Sequence, residues 1–234
     1  MLPIIDKAIM FHTRLNPKLW LDGNMLPEVR NDLMRIMVDF QEFLGVDDLD
    51  VMDITVSGSN AAYTYTPHSD IDLHLVVKVP ASQEALYTEL FDAKKNLYNS
   101  MRNIKIRGYD VELYVQNANN PVKSMGIYSV LRDSWIDYPK RVKAQIDDLS
   151  VLSKVQSYTN KINNALASDD IELAKMVYTE YRDMRKVGLE REGEFSTENL
   201  AFKIIRTNGL ATELFQHIIS LKDADLTLEH SKPK

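Results

Sequence analysis

Cysteine is absent from the 234-residue chain, which excludes disulfides and thiolate-ligated metal centres and leaves the redox compartment open. No uninterrupted apolar run approaches the roughly eighteen residues that a membrane-spanning helix needs, so no membrane association is expected. The first residues lack the basic and apolar regions of a secretory signal peptide. The sequence therefore predicts a cytoplasmic protein.

Common nucleotide-binding signatures are missing as well. The chain contains neither Gly-x-x-x-x-Gly-Lys-Ser/Thr nor Gly-x-Gly-x-x-Gly, which argues against ordinary ATPases and dehydrogenases. The formal net charge is −6, and neither the first 140 residues nor the remainder is strongly basic. Binding to duplex DNA by bulk electrostatics is therefore not expected, although a local groove for one RNA end is compatible with this composition.

The most informative segment runs from Gly58 to Val77. Asp70 and Asp72 stand two apart at the entry to an apolar strand, so both carboxylates are predicted to point to one face. Two ionised carboxylates held together are unfavourable unless a cation lies between them. Oxygen ligands of this kind suit Mg²⁺ (or Mn²⁺), which is shared with substrate phosphates.

A turn precedes the acidic pair by ten residues. Gly58, Ser59 and Asn60 are predicted to offer backbone N–H groups and a hydroxyl as a concave cradle for phosphate oxygens. Together with the carboxylates, this turn predicts a site for a metal ion and a nucleoside triphosphate.

This arrangement resembles the nucleotidyltransferase superfamily of the DNA polymerase β type. That family carries a Gly-Ser or Gly-Gly turn, a short spacer, and an acidic pair between apolar residues, although Ser69 stands here where an apolar residue is usual. The chain is also similar to uncharacterised nucleotidyltransferase-like proteins of tailed phages, which would place it in the host cytoplasm. The similar stretches are Phe11–Trp20, Ser69–His74 and Val111–Gln116.

The resemblance implies a third carboxylate on a later, adjacent strand. Asp110 and Glu112 both qualify and share a strand face, since they are two residues apart. Glu112 is preferred because Val111 and Leu113 flank it, and Asp110 is kept as the alternative metal ligand. The resemblance further implies catalytic roles for Asp70, Asp72 and Glu112.

Other side chains are open to two interpretations. His74 could contact substrate or a metal-bound water, or could orient a carboxylate. Tyr63 and Tyr65 could stack on a base or pack the spacer. Arg182 and Arg185, with Lys203 and Arg206 beyond a loop, could bind a triphosphate or acceptor, or could form an ordinary helix surface.

Periodicity predicts an α+β protein with two domains. Residues 1–138 are expected to form a mixed α/β nucleotidyltransferase domain with an N-terminal helical extension, residues 139–226 a helical bundle, and residues 227–234 a polar tail. Helices are predicted at 27–44, 82–101, 141–166, 169–187 and 197–208, and one more helix is predicted to end near 221. Strands are predicted at 51–56, from 70 onward, and at 104–116.

The expected activity is transfer of a nucleoside monophosphate from a nucleoside triphosphate to a hydroxyl, with release of pyrophosphate. The acceptor is left open among an RNA end, a protein, a small molecule and a nucleotide. The alternative is a catalytically silent module that binds a nucleotide as a sensor or binds a partner.

Overall fold

The computed structural model describes residues 2–46 and 49–227. Within them the chain is a mixed α+β protein, as predicted, with six α-helices and eight strands. Two compact units are present. One spans Met10–Lys143, and the other combines the residues up to Ile9 with those from Ala144 onward. Beyond Thr227, the predicted polar tail lies outside the described residues.

The first unit is built on a six-stranded mixed sheet, and a separate pair of two-residue strands precedes it. Along the sheet the order is β5-β6-β4-β3-β7-β8, with β4 parallel to β6 and the remaining pairs antiparallel. The elements are β1 Trp20–Leu21, β2 Asn24–Met25, α1 Pro27–Leu44, β3 Asp50–Ser57, β4 Ile71–Lys78, α2 Glu84–Met101, β5 Lys105–Ile106, β6 Tyr109–Asn117, β7 Ile127–Ser129 and β8 Ser134–Asp137.

Strand β4 contributes one face of its side chains to the core. Its odd-numbered apolar side chains are buried, because successive strand residues point to opposite faces. They belong to the same hydrophobic cluster as Phe40 of α1 and Tyr98 of α2, whose rings meet edge to face at 5.0 Å. Burying each large apolar side chain stabilises the fold by about 1.5–3 kcal/mol. The even-numbered residues of β4 are left for the other face.

Helix α1 has the predicted bounds. Pro27 occupies its first turn, where a missing N–H costs no hydrogen bond. Gly45 ends it in the left-handed conformation with φ +56°.

Helix α2 begins at Glu84, close to the predicted start, and packs through two aromatic side chains, Phe91 and Tyr98. Other apolar side chains of this helix lie outside the core, because Leu86, Leu97 and Met101 are more than half exposed. Aromatic rings bury the largest areas, so they fix which side of the helix faces the sheet.

The predicted strand at 104–116 is wrong in one respect, because the chain reverses inside it. Arg107 and Gly108 have φ of +52° and +90°, and they connect β5 to β6. Two-residue hairpin loops with both central φ values positive match the twist of the flanking strands. Gly108 was the sequence signal for this turn.

The second unit contains helices α3 Asp148–Leu166, α4 Ile171–Glu192, α5 Thr197–Thr207 and α6 Leu210–Leu226. The predicted separation of the first two of these helices is confirmed, and the Ser196 side chain caps α5 by accepting the Asn199 N–H. The first of these helices starts seven residues later than predicted, because the Asp147 side chain accepts the Ser150 N–H as an N-cap. Leu2 and Lys7 also bond within this unit, to Asp148 and Asn208.

Gly188 does not end α4, contrary to the prediction of a helix that stops at 187. The helix continues to Glu192 and ends at Gly193, where φ is +74°. A methyl group on Gly188 would lie 2.6 Å from the Glu198 Cβ and 2.7 Å from the Ser196 hydroxyl. The glycine therefore allows α5 to approach closely.

Candidate active site

Gly58 and Asp72 meet at one end of the sheet. Ser57, the last residue of β3, pairs with Asp72 near the start of β4, so the turn after β3 lies beside the carboxylate. Gly58 has φ +77°, and a methyl group on it would lie 1.9 Å from Asp72 Oδ2. Only glycine accommodates both the backbone conformation and the carboxylate at this position.

Asp72 and Glu112 are direct neighbours across the parallel β4–β6 pair. Adjacent strands lie about 4.8 Å apart, so the two acidic side chains start close together on one face of the sheet. The Tyr114 hydroxyl donates to Glu112 Oε2 at 2.5 Å. The structure thus places a pair of carboxylates from two strands next to the Gly58 turn.

Asp110 has a different environment, although it lies on the same strand face as Glu112. It pairs with Lys105 across the β5–β6 hairpin, both in register and by a salt bridge between the side chains. About half of its side chain is exposed. The carboxylate of Asp110 is therefore balanced by a cation of this chain.

Asp70 lies one residue before β4, not within the strand as predicted. Its carbonyl accepts a hydrogen bond from Asn60 Nδ2 at 2.9 Å. Over residues 2–46 and 49–227, no group of three or more histidine, aspartate or glutamate side chains is close enough to hold a metal ion. Asp70, Asp72 and Glu112 thus do not form a three-ligand cluster in this part of the chain.

The turn itself is tied to neighbouring loops. The Gly58 N–H, predicted to be free for phosphate, donates to the Ser124 hydroxyl at 3.0 Å. The Ser59 hydroxyl donates to the Ser69 hydroxyl at 2.7 Å, and the latter accepts the Thr66 N–H at 2.9 Å. A phosphate that binds at this turn would have to replace the hydroxyl groups that are now the hydrogen-bond partners of Gly58 and Ser59.

Asn60 was predicted as part of the phosphate cradle, but it is fully buried. Its Oδ1 accepts from Asn16 at 2.8 Å, its Nδ2 holds Asp70, and its carbonyl accepts from the Trp20 indole at 2.8 Å. Asn60 therefore fixes the backbone at Asp70 and does not offer its side chain to a phosphate. Sequence reasoning missed Asn16, Trp20 and Ser124, and only the resemblance over Phe11–Trp20 pointed to the first two.

His74 continues the polar face beyond Asp72. Its Nε2 lies 3.0 Å from the Ser57 hydroxyl, and its ring stacks on Tyr114 with centroids 5.0 Å apart. Burial, with a smaller contribution from Lys95, lowers the pKa of His74 to about 4. The imidazole is therefore neutral near pH 7 and contacts a hydroxyl and a ring.

The spacer tyrosines are used in packing. Tyr63 is buried beneath the Arg141 guanidinium, which lies 5.4 Å from its ring centroid. Tyr65 stacks on His12 with centroids 3.8 Å apart. These contacts favour the packing interpretation over base stacking.

Arg182 and Arg185 are exposed residues of α4 in the helical unit. The Arg185 guanidinium lies over the Phe202 ring, 5.1 Å from its centroid. Lys203 and Arg206 are on α5, and both take part in interactions of their own. The arginines thus have the exposure that an anion site requires, and at least Arg185 has a packing role.

The donor set can be compared with the needs of Mg²⁺. Asp72 and Glu112 supply hard oxygen ligands from two rigid strands, and Mg²⁺ is commonly held by one or two carboxylates plus water and phosphate. This pair therefore fits the ion in ligand type and number.

No protein-family model, curated protein or solved structure matches this chain, so the resemblance to nucleotidyltransferases depends on the motif residues alone. Among the described residues, no helix combines the length and apolar character needed to cross a membrane.

Proposed function

We propose that the protein is a metal-dependent nucleotidyltransferase. The observation that supports this most is the neighbouring position of Asp72 and Glu112 on parallel strands, with Gly58 packed against the Asp72 carboxylate. Three features that are 14 and 40 residues apart in sequence thereby meet at one end of one sheet. A turn for phosphate beside paired carboxylates suits transfer of a nucleotidyl group.

In this proposal the carboxylates of Asp72, Glu112 and Asp70 hold divalent cations together with the triphosphate. Such ions stabilise the attacking and leaving oxygens of an in-line displacement when bound. Gly58 and Ser59 bind the β- and γ-phosphates and orient the leaving pyrophosphate. Glu112 helps to remove the proton of the attacking hydroxyl.

The nucleotide donor is a nucleoside triphosphate, and the acceptor is a hydroxyl of an RNA end, a protein, a small molecule or a second nucleotide. Arg182 and Arg185 are the candidates for binding an anionic part of one substrate, since guanidinium groups bind phosphate with two donors. The overall acidity of the chain slightly disfavours a long RNA.

The second candidate is a catalytically silent nucleotide-binding module. Two observations favour it: the Gly58 N–H is already bonded to Ser124, and the described residues contain no group of three acidic or histidine side chains at metal-binding distance. Against it stands the position of Asp72 beside Glu112, because two neighbouring carboxylates supply the oxygen ligands by which Mg²⁺ is commonly held.

Pyrophosphate release separates the two candidates. The protein would be incubated with each nucleoside triphosphate and Mg²⁺ or Mn²⁺, together with RNA, protein and metabolite extracts as acceptors. Release that requires both the cation and an acceptor identifies the enzyme, and mass spectrometry of the extract then identifies the acceptor. Nucleotide binding without release in any combination identifies the silent module.

A further inference from the structure

Tyr114 lies on the polar face of the sheet, next to His74. It is the cross-strand neighbour of His74 in the β4–β6 pair, just as Glu112 is the neighbour of Asp72. Its hydroxyl donates to Glu112 Oε2 at 2.5 Å, two residues away on the same strand face. The two cross-strand pairs are therefore joined by one short hydrogen bond.

The tyrosine ring is itself held in place. It stacks on the His74 imidazole at 5.0 Å with an angle of 19° between the planes, and the Lys95 ammonium lies 5.2 Å from its centroid. His74 is buried and fixed by the Ser57 hydroxyl, and Lys95 is fixed by Asp92 at 3.0 Å. Movement of the Tyr114 hydroxyl is thus restricted by groups on two strands and a helix.

A glutamate has three rotatable side-chain bonds, so a lone Glu112 would sample many positions. The hydroxyl of Tyr114 selects one of them and leaves Oε1 and the remaining lone pair of Oε2 available. Polar groups that orient a metal ligand from outside commonly contribute ten- to hundredfold to metal affinity or activity.

We infer that Tyr114 is a positioning residue that holds the Glu112 carboxylate in the orientation needed to bind a divalent cation beside Asp72. This inference rests on the proposed function. It gives a role to a side chain that lies inside the similar stretch Val111–Gln116 but outside the acidic pattern itself, and to which the sequence alone assigned no function.

The first test measures cation binding without turnover. Mn²⁺ would be titrated calorimetrically into the metal-free wild type, Tyr114→Phe and Tyr109→Phe. Tyr109 is a matched control because it is a buried tyrosine of the same strand on the opposite face. Tyr114→Phe should weaken Mn²⁺ binding by about tenfold or more, within the range for such partners, and Tyr109→Phe should leave it within about twofold.

A second measurement tests the hydrogen bond between Tyr114 and Glu112 without relying on the proposed function. Urea unfolding of Tyr114→Phe, Glu112→Met and the double variant forms a cycle in which contacting residues are nonadditive. We expect the double variant to lose less stability than the sum of the single losses.

The outcomes are distinct. Additive losses in urea, or wild-type Mn²⁺ affinity in Tyr114→Phe, would overturn the inference even if the wild type is an active enzyme. Nonadditive losses with no Mn²⁺ binding by the wild type would instead overturn the proposed function, and the positioning role with it.

Discussion

At the scale of single residues, the neighbours of a carboxylate separate the two candidates for the third acidic ligand. Glu112 lies beside Asp72 and accepts a hydrogen bond from Tyr114, whereas Asp110 is paired with Lys105. Both residues share one face, so alternation in the sequence could not distinguish them. The β5–β6 hairpin brings Lys105 next to Asp110, and this ion pair distinguishes Asp110 from Glu112.

Glu112→Gln should therefore reduce turnover far more than Asp110→Asn. Removing the Glu112 charge affects the chemical step, whereas Asp70, Asp72 and Ser59 remain to hold the triphosphate. Nucleotide affinity should therefore change little while kcat falls by about a hundredfold or more, equivalent to about 2.7 kcal/mol. Steady-state kinetics of pyrophosphate release would measure both constants. Loss of turnover in Asp110→Asn alone would reverse the assignment.

The sequence indicated the residues with a motif but not the residues that support them. Gly58 was predicted from its place before the acidic strand, and its positive φ agrees with a turn. The role of Asn60 could not be predicted, because its partner Asn16 lies 44 residues away. Long-range hydrogen bonds of this kind leave no periodic signal in a sequence.

At the scale of helices and strands, regular periodic segments were predicted well, whereas the reversal inside the predicted 104–116 strand and the end of α4 were not. Helix α1 shows a regular apolar pattern with a proline at its start and a glycine at its end. The reversal at Arg107–Gly108 was missed because the apolar residues continue on both sides of it. Gly188 was misread as a helix end, since a glycine required for close packing looks the same in sequence as one required for φ.

Gly188→Ala and Gly209→Ala separate these two uses of glycine. At Gly188 the new methyl group would clash with α5, so a loss of about 1–3 kcal/mol is expected from overpacking. Gly209 has φ +84°, and among the described residues beyond its chain neighbours no atom lies within 4 Å of an added methyl group, so backbone strain is the term that opposes the change.

Asparagine tolerates the left-handed conformation better than alanine does. Gly209→Asn should therefore be milder than Gly209→Ala, whereas Gly188→Asn should be at least as destabilising as Gly188→Ala. Urea unfolding of the four variants would check this order. Equal effects of alanine and asparagine at both sites would contradict it.

At the scale of the whole molecule, the change from a mixed to a helical pattern near residue 140 was visible in the sequence. The grouping of the first nine residues with the helices was not, because it depends on contacts such as Lys7 with Asn208. Each unit also buries tyrosines whose hydroxyls are satisfied inside the protein, at Tyr98, Tyr128 and Tyr181.

These tyrosines predict a loss of stability at alkaline pH. Burial, with the hydrogen bond to Asp133, raises the pKa of Tyr128 to about 12, and burial also raises the pKa of Tyr98 and of Tyr181. A tyrosine whose pKa is higher in the folded than in the unfolded state stabilises the fold. This stabilisation is fully present below the ordinary pKa of 10 and is lost as the pH rises from there toward 12.

The urea midpoint should therefore fall steeply above about pH 10, and less steeply in Tyr128→Phe, which cannot ionise there. Identical pH dependence in Tyr128→Phe and the wild type would contradict the assignment.

Under the proposed function, Arg182 and Arg185 of α4 are candidates for binding an anionic part of a substrate. Arg185→Ala should weaken binding of a nucleoside triphosphate or acceptor by about 1–3 kcal/mol if a charge-assisted hydrogen bond to phosphate is lost. Since Arg185 also covers Phe202, Arg185→Lys serves as a variant that keeps the charge. Calorimetry that finds unchanged affinity in both Arg182→Ala and Arg185→Ala would remove these two arginines from the proposed substrate-binding residues.

Asp72 is the residue on which the whole account depends, because it touches Gly58 and adjoins Glu112. The most direct test is pyrophosphate release from nucleoside triphosphates, with Mg²⁺ or Mn²⁺ and the acceptor extracts present, by the wild type and Asp72→Asn, with the exposed helix residue Asp32→Asn as the matched control. We expect divalent-dependent release by the wild type and by Asp32→Asn, and at least about a hundredfold less by Asp72→Asn with its fold intact. Release by Asp72→Asn within a few-fold of the wild type would contradict the assignment of this site.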